Sequence, residues 1–327
     1  MIVGCGAVAE KFHLPALSRV PEIQISALVD KSVTRAERLR KLFGLRNAEV
    51  ATDTFSILDK SAVDAVLILT PTETHAEIAV AAARARKHIF CEKPLGPAVE
   101  DAERMISEAK KAGVVNMVGC NLRFTSQVQT LKRLVSEDFL GQTWSLDCGY
   151  VLDYSTWPAV IARDKSGFSP WLDAGHHLVD LARYIMGSPK SIYAKNAPVD
   201  AEEPKGIVAS ILFSKGAIAS LHFSWSGPAY LGLRMIGTEG LLSVDFSSES
   251  ILALKKGLLS FKSSPWLVIK AKAPFSPFCY ELSHFAQSIL KNTKPLAPFT
   301  EGLEDLKVLL AACESIKNDD WISLLCE

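Results

Sequence analysis

Two stretches of the chain carry side chains whose types and spacing suit acid–base work. The first is Trp171-Leu172-Asp173-Ala174-Gly175-His176-His177-Leu178-Val179-Asp180. If it is helical, Asp173 and His177 are i,i+4 neighbours and Asp180 lies one further turn along the same face. A carboxylate beside an imidazole orients the ring and supports its protonated form, the arrangement a general base for an alcohol needs. Spacing does not choose His177 over His176, since both sit within one helical turn of Asp173. A satisfied structural pair of histidines is the plain alternative. No further Cys or His stands nearby at ligand spacing, so no metal is expected. The second stretch is Cys91-Glu92-Lys93-Pro94, at the end of an apolar run that reads as a strand. Strand ends of this kind line the ligand crevice of an open α/β sheet. The proline restricts Lys93 to extended geometry and admits a cis bond, either of which fixes the direction of the lysine side chain. A solvated loop lysine is the alternative.

A third pattern concerns binding. Gly4-Cys5-Gly6-Ala7-Val8-Ala9 fits GxGxxA directly after a strand and before a helix, the context in which that pattern means dinucleotide binding. Gly4 allows the tight turn, Gly6 lets the main chain approach a pyrophosphate, and Ala9 keeps helix and strand close. The helix start, with Ala7 and Val8, offers N–H groups to the phosphates. Asp30 closes the next strand, twenty-one positions beyond Ala9, where an acidic side chain accepts both ribose hydroxyls and repels a 2′-phosphate. That favours NAD over NADP, although Lys31 and Arg35 lie close enough to soften the choice. The alternative for Asp30 is a cap for the helix starting near Thr34.

These residues need elements to position them. Up to about residue 119, short apolar runs alternate with helix-periodic segments, the pattern of a parallel sheet covered by helices. Strands are expected at Met1 to Val3, Ile23 to Val29, Glu49 to Ala51, Ala65 to Leu69, His88 to Cys91 and Val114 to Val118. Helices are expected at Thr34 to Phe43, stopped by Gly44, at His75 to Lys87, and at Val99 to Ala112, stopped by Gly113. Beyond Asn121 a helix over Ser126 to Ser136 precedes strand-like alternation at Thr143 to Val151, Ser191 to Lys195, Ile207 to Phe213, Ala217 to Trp225, Leu231 to Ile236 and Leu241 to Phe246. The turns Lys215-Gly216 and Thr238-Glu239-Gly240 favour antiparallel hairpins. A helix around Trp171 to Met186 interrupts this sheet, and another through Leu303, Leu306, Leu309, Leu310 and Cys313 closes the chain. The expected fold is therefore α/β: a doubly wound Rossmann domain over residues 1–120 and an α+β domain with a large, mostly antiparallel sheet over 121–327.

Composition narrows the function. The 327 residues are 48% hydrophobic and 22% charged, and 36 Lys plus Arg balance 36 Asp plus Glu. That is an ordinary globular composition without the basic field that nucleic acid draws on. No apolar run reaches the roughly 18 residues of a membrane span, and Met1-Ile2-Val3 leads straight into the glycine turn without a signal peptide. The seven cysteines form no metal-ligand spacing, and a reduced cytoplasm fits them.

Taken together these residues resemble the Gfo/Idh/MocA oxidoreductase family. The resemblance rests on the Gly4 to Ala9 turn, His13-Leu14-Pro15-Ala16-Leu17, Thr70-Pro71-Thr72 with His75, Glu92-Lys93-Pro94, Asn121-Leu122-Arg123-Phe124, Asp173 with His177 and Asp180, Ile236-Gly237-Thr238-Glu239-Gly240, and Glu301-Gly302-Leu303 with Asp305. It implies hydride transfer between NAD, or NADP, and a sugar, polyol or inositol-like alcohol, or the reverse reduction of a keto-sugar. By the family pattern Lys93, Asp173 and His177 form the catalytic set. His177 takes the hydroxyl proton, Asp173 orients substrate or ring, and Lys93 binds the reacting oxygen and the nicotinamide ribose. Thr70, Thr72, His75 and Glu92 line the cofactor groove, and Arg123 faces the nicotinamide or substrate. The resemblance also implies a homodimer or homotetramer built on the sheet of the second domain. One departure stands out: Ser166-Gly167-Phe168-Ser169-Pro170-Trp171 replaces a glycine pair that many members carry before the Asp. A Phe, Pro and Trp there are expected to add an aromatic wall to the substrate pocket. The same fold also serves a non-catalytic NAD-binding sensor and an NAD-dependent glycosidase, and both readings stay open beside the dehydrogenase.

Overall fold

The computed structural model describes residues 1–60, 62–153, 170–199, 205–257 and 266–324. The chain divides into two compact units, Met1–Asn121 with Phe275–Leu306, and Leu122–Pro274 with Lys307–Glu327.

Six parallel strands make the sheet of the first unit: β1 (Ile2–Val3), β2 (Ala27–Val29), β3 (Glu49–Ala51), β4 (Ala65–Ile68), β5 (His88–Cys91) and β6 (Asn116–Val118), in the order β3-β2-β1-β4-β5-β6. β1, β2 and most of β4 and β5 are buried, as continuous apolar runs are when helices cover both faces. The strand order reverses between β1 and β4, and the open ends of the strands at such a reversal form the binding crevice of this architecture. Strand β2 is shorter than the expected Ile23 to Val29. Its ladders with β1 and β3 run for only two and three residues, and ahead of them the Ser26 carbonyl still accepts from the Glu49 N–H of β3 (2.9 Å). Between the strands run α1 (Leu14–Leu17), α2 (Val33–Leu42), α3 (Phe55–Leu58), α4 (His75–Arg84) and α5 (Val99–Ala112). α5 stops at Gly113 in the left-handed region (φ 67°), as the glycine predicts.

The sheet of the second unit has nine strands in the order β14-β13-β12-β11-β7-β10-β9-β8-β15. They are β7 (Thr143–Asp153), β8 (Pro189–Ala197), β9 (Gly206–Phe213), β10 (Ile218–Ser224), β11 (Ser226–Gly237), β12 (Gly240–Asp245), β13 (Ser250–Lys255), β14 (Leu267–Lys270) and β15 (Ile322–Ser323). β7 and β10 pair in parallel, and the remaining pairs are antiparallel. Both expected hairpins form, β9 to β10 and β11 to β12. One face of this sheet packs against α6 (Ser126–Ser136) and α7 (His176–Met186) through Leu146, Cys148, Ile211, Leu221 and Phe223, with Val128, Leu131, Leu178, Val179 and Leu181 opposite.

The chain then returns to the first unit. α8 (Pro277–Leu290) places Phe278 on Phe12 (ring centroids 5.1 Å) and Phe285 edge-on to Phe90 (5.8 Å). α9 (Phe299–Asn318) begins in the first unit and ends in the second. The two units are thus not the contiguous 1–120 and 121–327 expected from the sequence, because the apolar stripe of α8 finds its partners in the first unit. No helix among the described residues is long and apolar enough to cross a membrane.

Candidate active site

In the first unit the glycine turn has the shape its sequence demands. Gly4 sits at φ +97°, and a Cβ there would lie 2.5 Å from the carbonyl oxygen of Leu69 at the end of β4. Only glycine fits so tight an approach. A Cβ on Gly6 would meet nothing within 4 Å, so that side of the turn is open, as a pyrophosphate seat must be. Helical residues 7–17 follow, with Ala7 exposed, Val8 half-buried and Ala9 fully buried against the sheet. Asp30 leaves the end of β2 with only 9% exposure. Its Oδ2 accepts from the Cys5 backbone N–H (2.8 Å) and its Oδ1 from that of Ser32 (2.8 Å). The Arg35 guanidinium lies 3.2 Å from Oδ1. Capping α2 falls to Ser32, whose hydroxyl accepts from the Arg35 N–H (3.4 Å). Asp30 therefore buckles the glycine turn to the start of α2 at the end of β2. Burial, with the nearby Asp30 charge, pushes the Cys5 thiol up to about 12, which leaves it a neutral packing group.

Two further loops meet at the ends of β4 and β5. Thr70 and Thr72 are half-buried, and the Thr74 hydroxyl donates to that of Thr70 (2.7 Å). His75, 1% exposed, stands between two carbonyl oxygens, Pro94 O at 3.0 Å from Nδ1 and Thr70 O at 2.9 Å from Nε2. Its tautomer decides which of them receives the N–H. Burial pushes this imidazole below its usual pKa, against the pull of both carbonyls and Glu92. Lys93 is half-buried, and the Lys93–Pro94 bond is cis. Glu92 accepts from His13 Nε2 at Oε1 (2.6 Å) and from the Lys93 backbone N–H at Oε2 (3.0 Å). Burial alone would raise the Glu92 carboxyl, but the His13 hydrogen bond and the Lys93 charge outweigh it and hold the group below the usual carboxylate value. His75 and Glu92 were expected to line a cofactor groove. Their polar atoms turn instead to the protein and tie its loops together.

The second unit separates its candidates by burial. Residues Trp171–Gly175 form a π-helical turn ahead of α7, which sets an i→i+5 turn before His177 in place of the expected α spacing. Asp173 and His177 are half-buried, whereas His176 is fully buried. The His177 ring stands edge-on to Tyr150 (5.9 Å between centroids). Spacing alone left the two histidines equal; exposure distinguishes them. Asp180 does not share the open side. It is buried with Arg123, whose Nε and Nη2 reach Asp180 Oδ1 at 2.8 and 2.7 Å and whose guanidinium lies 4.8 Å from the Tyr184 ring centre. Arg123 was expected to face nicotinamide or substrate. At 1% exposure it is an interior ion pair, and a buried arginine keeps such a place only when paired. Trp171 is likewise fully buried, with its indole N–H on Leu309 O (3.2 Å) and its ring 6.1 Å from that of Phe223, so it belongs to the core rather than to a substrate wall. Ser166 to Ser169, including Phe168, lie outside the described residues.

Sequence reasoning missed the His13–Glu92 and Arg123–Asp180 pairs. Their partners lie 79 and 57 residues apart, beyond any local pattern. Gly175 inside a helix-periodic segment was the one signal for the π turn.

Comparison with known proteins agrees with this architecture. Residues 1–120 match the description "Oxidoreductase family, NAD-binding Rossmann fold", and residues 128–243 match "GFO/IDH/MocA C-terminal domain". The chain is 30% identical to levoglucosan dehydrogenase of Pseudarthrobacter phenanthrenivorans, over 88% of this chain and 86% of that protein. It is 26% identical to scyllo-inositol 2-dehydrogenase (NAD(+)) of Bacillus subtilis, over 97% and 93%. Among solved structures, a levoglucosan dehydrogenase in complex with NADH and levoglucosan shares the fold with a TM-score of 0.88 at 23% identity, over 99% of this chain and 98% of that one. The chain belongs to the Gfo/Idh/MocA oxidoreductase family, and its first unit is the family's NAD-binding Rossmann fold.

Proposed function

We propose that the chain is a dehydrogenase that uses NAD in preference to NADP to oxidise one carbon of a sugar, polyol or inositol-like alcohol, or to reduce the matching ketone. The observation that carries this reading is the first unit's arrangement of an open glycine turn, the pinned Asp30 and Lys93 after β1, β2 and β5, at the same ends of the parallel strands of one sheet. Gly4, Gly6, Ala7 and Val8 hold the pyrophosphate, Asp30 accepts from the ribose diol, and Thr70 and Thr72 edge the groove. The bound nicotinamide supplies the hydride acceptor. Lys93 brings an ammonium to the reacting oxygen, where it stabilises the charge that develops as the proton leaves. His177 takes that proton at its ring, and Asp173 supports the imidazolium so formed. The levoglucosan and scyllo-inositol dehydrogenases named above make polycyclic and cyclic polyols natural first substrates to try. The test is a panel of inositols, anhydrosugars, free sugars and nucleotide sugars scanned for NADH formation. The reading predicts one class turned over well above the rest, and no NADH with any of them would contradict it.

Assembly is part of the same proposal. The face of the second sheet opposite α6 and α7 exposes Val208, Ile218, Tyr230, Leu252 and Val268, each at least 38% accessible. So broad an apolar face supports burial against a second copy, as a dimer or tetramer. None of the six described cysteines is in a disulfide, in keeping with an enzyme of the cytoplasm, and the balanced charge supports no nucleic acid partner. Molar mass from light scattering tests the assembly, with Ile218→Lys expected to lower it.

A further inference from the structure

We propose that Glu92 is a positioning residue for Lys93, and that His13 holds Glu92 in that task. The inference rests on the reading of Lys93 as the catalytic lysine. The Glu92 carboxylate is divided between two donors, His13 Nε2 on Oε1 at 2.6 Å and the Lys93 backbone N–H on Oε2 at 3.0 Å. Two donors require two acceptor oxygens. An amide in the same place would offer one oxygen and one NH₂ group, so one of the two contacts would become donor against donor.

The slot is built to the carboxylate's shape. A Cβ on Gly119, at the end of β6, would stand 3.2 Å from Glu92 Oε2 and 3.3 Å from its Cδ. Glycine there lets the carboxylate lie against the backbone. His13 is fully buried, with its ring edge-on to Phe90 (5.6 Å, 72°) and to Phe278 (5.3 Å, 76°). Its Nδ1 is buried and has no hydrogen-bond partner among the described residues. A proton on Nδ1 would find no acceptor, so the tautomer that fits carries its proton on Nε2 and gives it to Glu92.

The consequence is a tie between the two parts of the first unit that the reaction uses. His13 rides on the helical residues 7–17 that start at the glycine turn, so the pyrophosphate seat is joined through His13 and Glu92 to the Lys93 peptide. On the other side His75 Nδ1 lies 3.0 Å from Pro94 O and, in the tautomer protonated at Nδ1, donates to it. The lysine Cα is thereby held before and after, and its ammonium starts from a fixed point. Misplacing a reacting group by about 1 Å costs up to about 100-fold in rate.

The experiment measures kcat at saturating NAD and alcohol, using the alcohol turned over fastest in the panel, together with NAD affinity by fluorescence quenching and the melting temperature. Glu92→Gln and His13→Phe are each expected to lower kcat by at least about 10-fold while NAD affinity stays within about 3-fold. His13→Gln, which can again donate to Oε1, is expected to recover kcat to within about 3-fold of the parent. Should His13→Phe fail to fold, Gly119→Ala presses on the carboxylate without removing a donor and is expected to lower kcat in the same way. Combining Glu92→Gln with Lys93→Ala should cost no more than Lys93→Ala alone. A Glu92→Gln protein with parental kcat but NAD affinity weakened about 10-fold or more would make Glu92 a cofactor ligand and overturn the inference. So would a fall in melting temperature with kcat per NAD-binding site unchanged. Lys93→Ala run in parallel separates the two claims: if it keeps its turnover, the reading of Lys93 fails and takes the inference with it, whereas if it loses turnover while Glu92→Gln does not, only the inference fails.

Discussion

The loop after β5 in the first unit and the segment around α7 in the second each present a charged cluster, and they use it differently. In the loop, the polar atoms of Glu92 and His75 are given to the protein, and what they secure is the backbone on either side of a half-buried Lys93. In the α7 region the division runs between side chains of one sequence run. Asp180 is committed to Arg123 and His176 to the interior, while Asp173 and His177 stay half-buried. A residue type at a suggestive spacing therefore counts for less than where its polar atoms are already engaged.

The sharpest way to break that division is Arg123→Ala. If Arg123 belongs to the interior, removal takes the guanidinium away from the buried Asp180 carboxylate and costs about 3–5 kcal/mol of stability. Denaturant unfolding measures this, and a parental midpoint with a raised substrate KM would return Arg123 to the binding site. Next in size is Lys93→Ala, expected to cut turnover by about 100-fold while the protein stays folded. Near-native turnover would make Lys93 an ordinary loop residue. The contrast also bears on cofactor choice. With Asp30 at the end of β2, NAD is expected to bind at least about 10-fold more tightly than NADP, as titration of both will show. Equal affinities would mean that Arg35, which lies 3.2 Å from Asp30, governs the pocket.

A smaller effect follows from the lowered Glu92 carboxyl. Its folded pKa lies below the unfolded value of about 4.3, so its contribution to stability is complete above that value. It is lost as pH falls through the lower, folded value. Glu92→Gln should flatten that part of the acid limb of the stability profile, and a profile parallel to the parent's in this range would show that the carboxyl is not held down.

Much of the frame could be read directly from the chain. The glycine spacing and Asp30 identified the dinucleotide fold, and Gly113, with no Cβ to oppose the left-handed region, marked the end of α5. Strand β3 and helices α5 and α6 begin and end where periodicity places them, because each is bounded by local turn or cap chemistry. Helix α8 and strands β13 to β15 escaped, since their partners are set by tertiary contacts rather than by local pattern. The site was harder still. Arg123 and Trp171 carry the right chemistry but are drawn inside by Asp180 and by the Leu309 carbonyl, and burial of that kind depends on partners far away in sequence.

The pair of adjacent histidines tests the account most directly, because one is half-buried beside Tyr150 and the other fully buried. The measurement is kcat against pH for His177→Ala and His176→Ala, each confirmed folded. His177→Ala should lose about 100-fold or more in turnover and flatten the rise of rate with pH, since a neutral ring must take the hydroxyl proton. Every His176→Ala molecule that folds should keep that rise, with kcat changed far less. If instead the pH dependence survives in His177→Ala and vanishes in His176→Ala, the base is the buried ring, and the assignment by exposure is wrong.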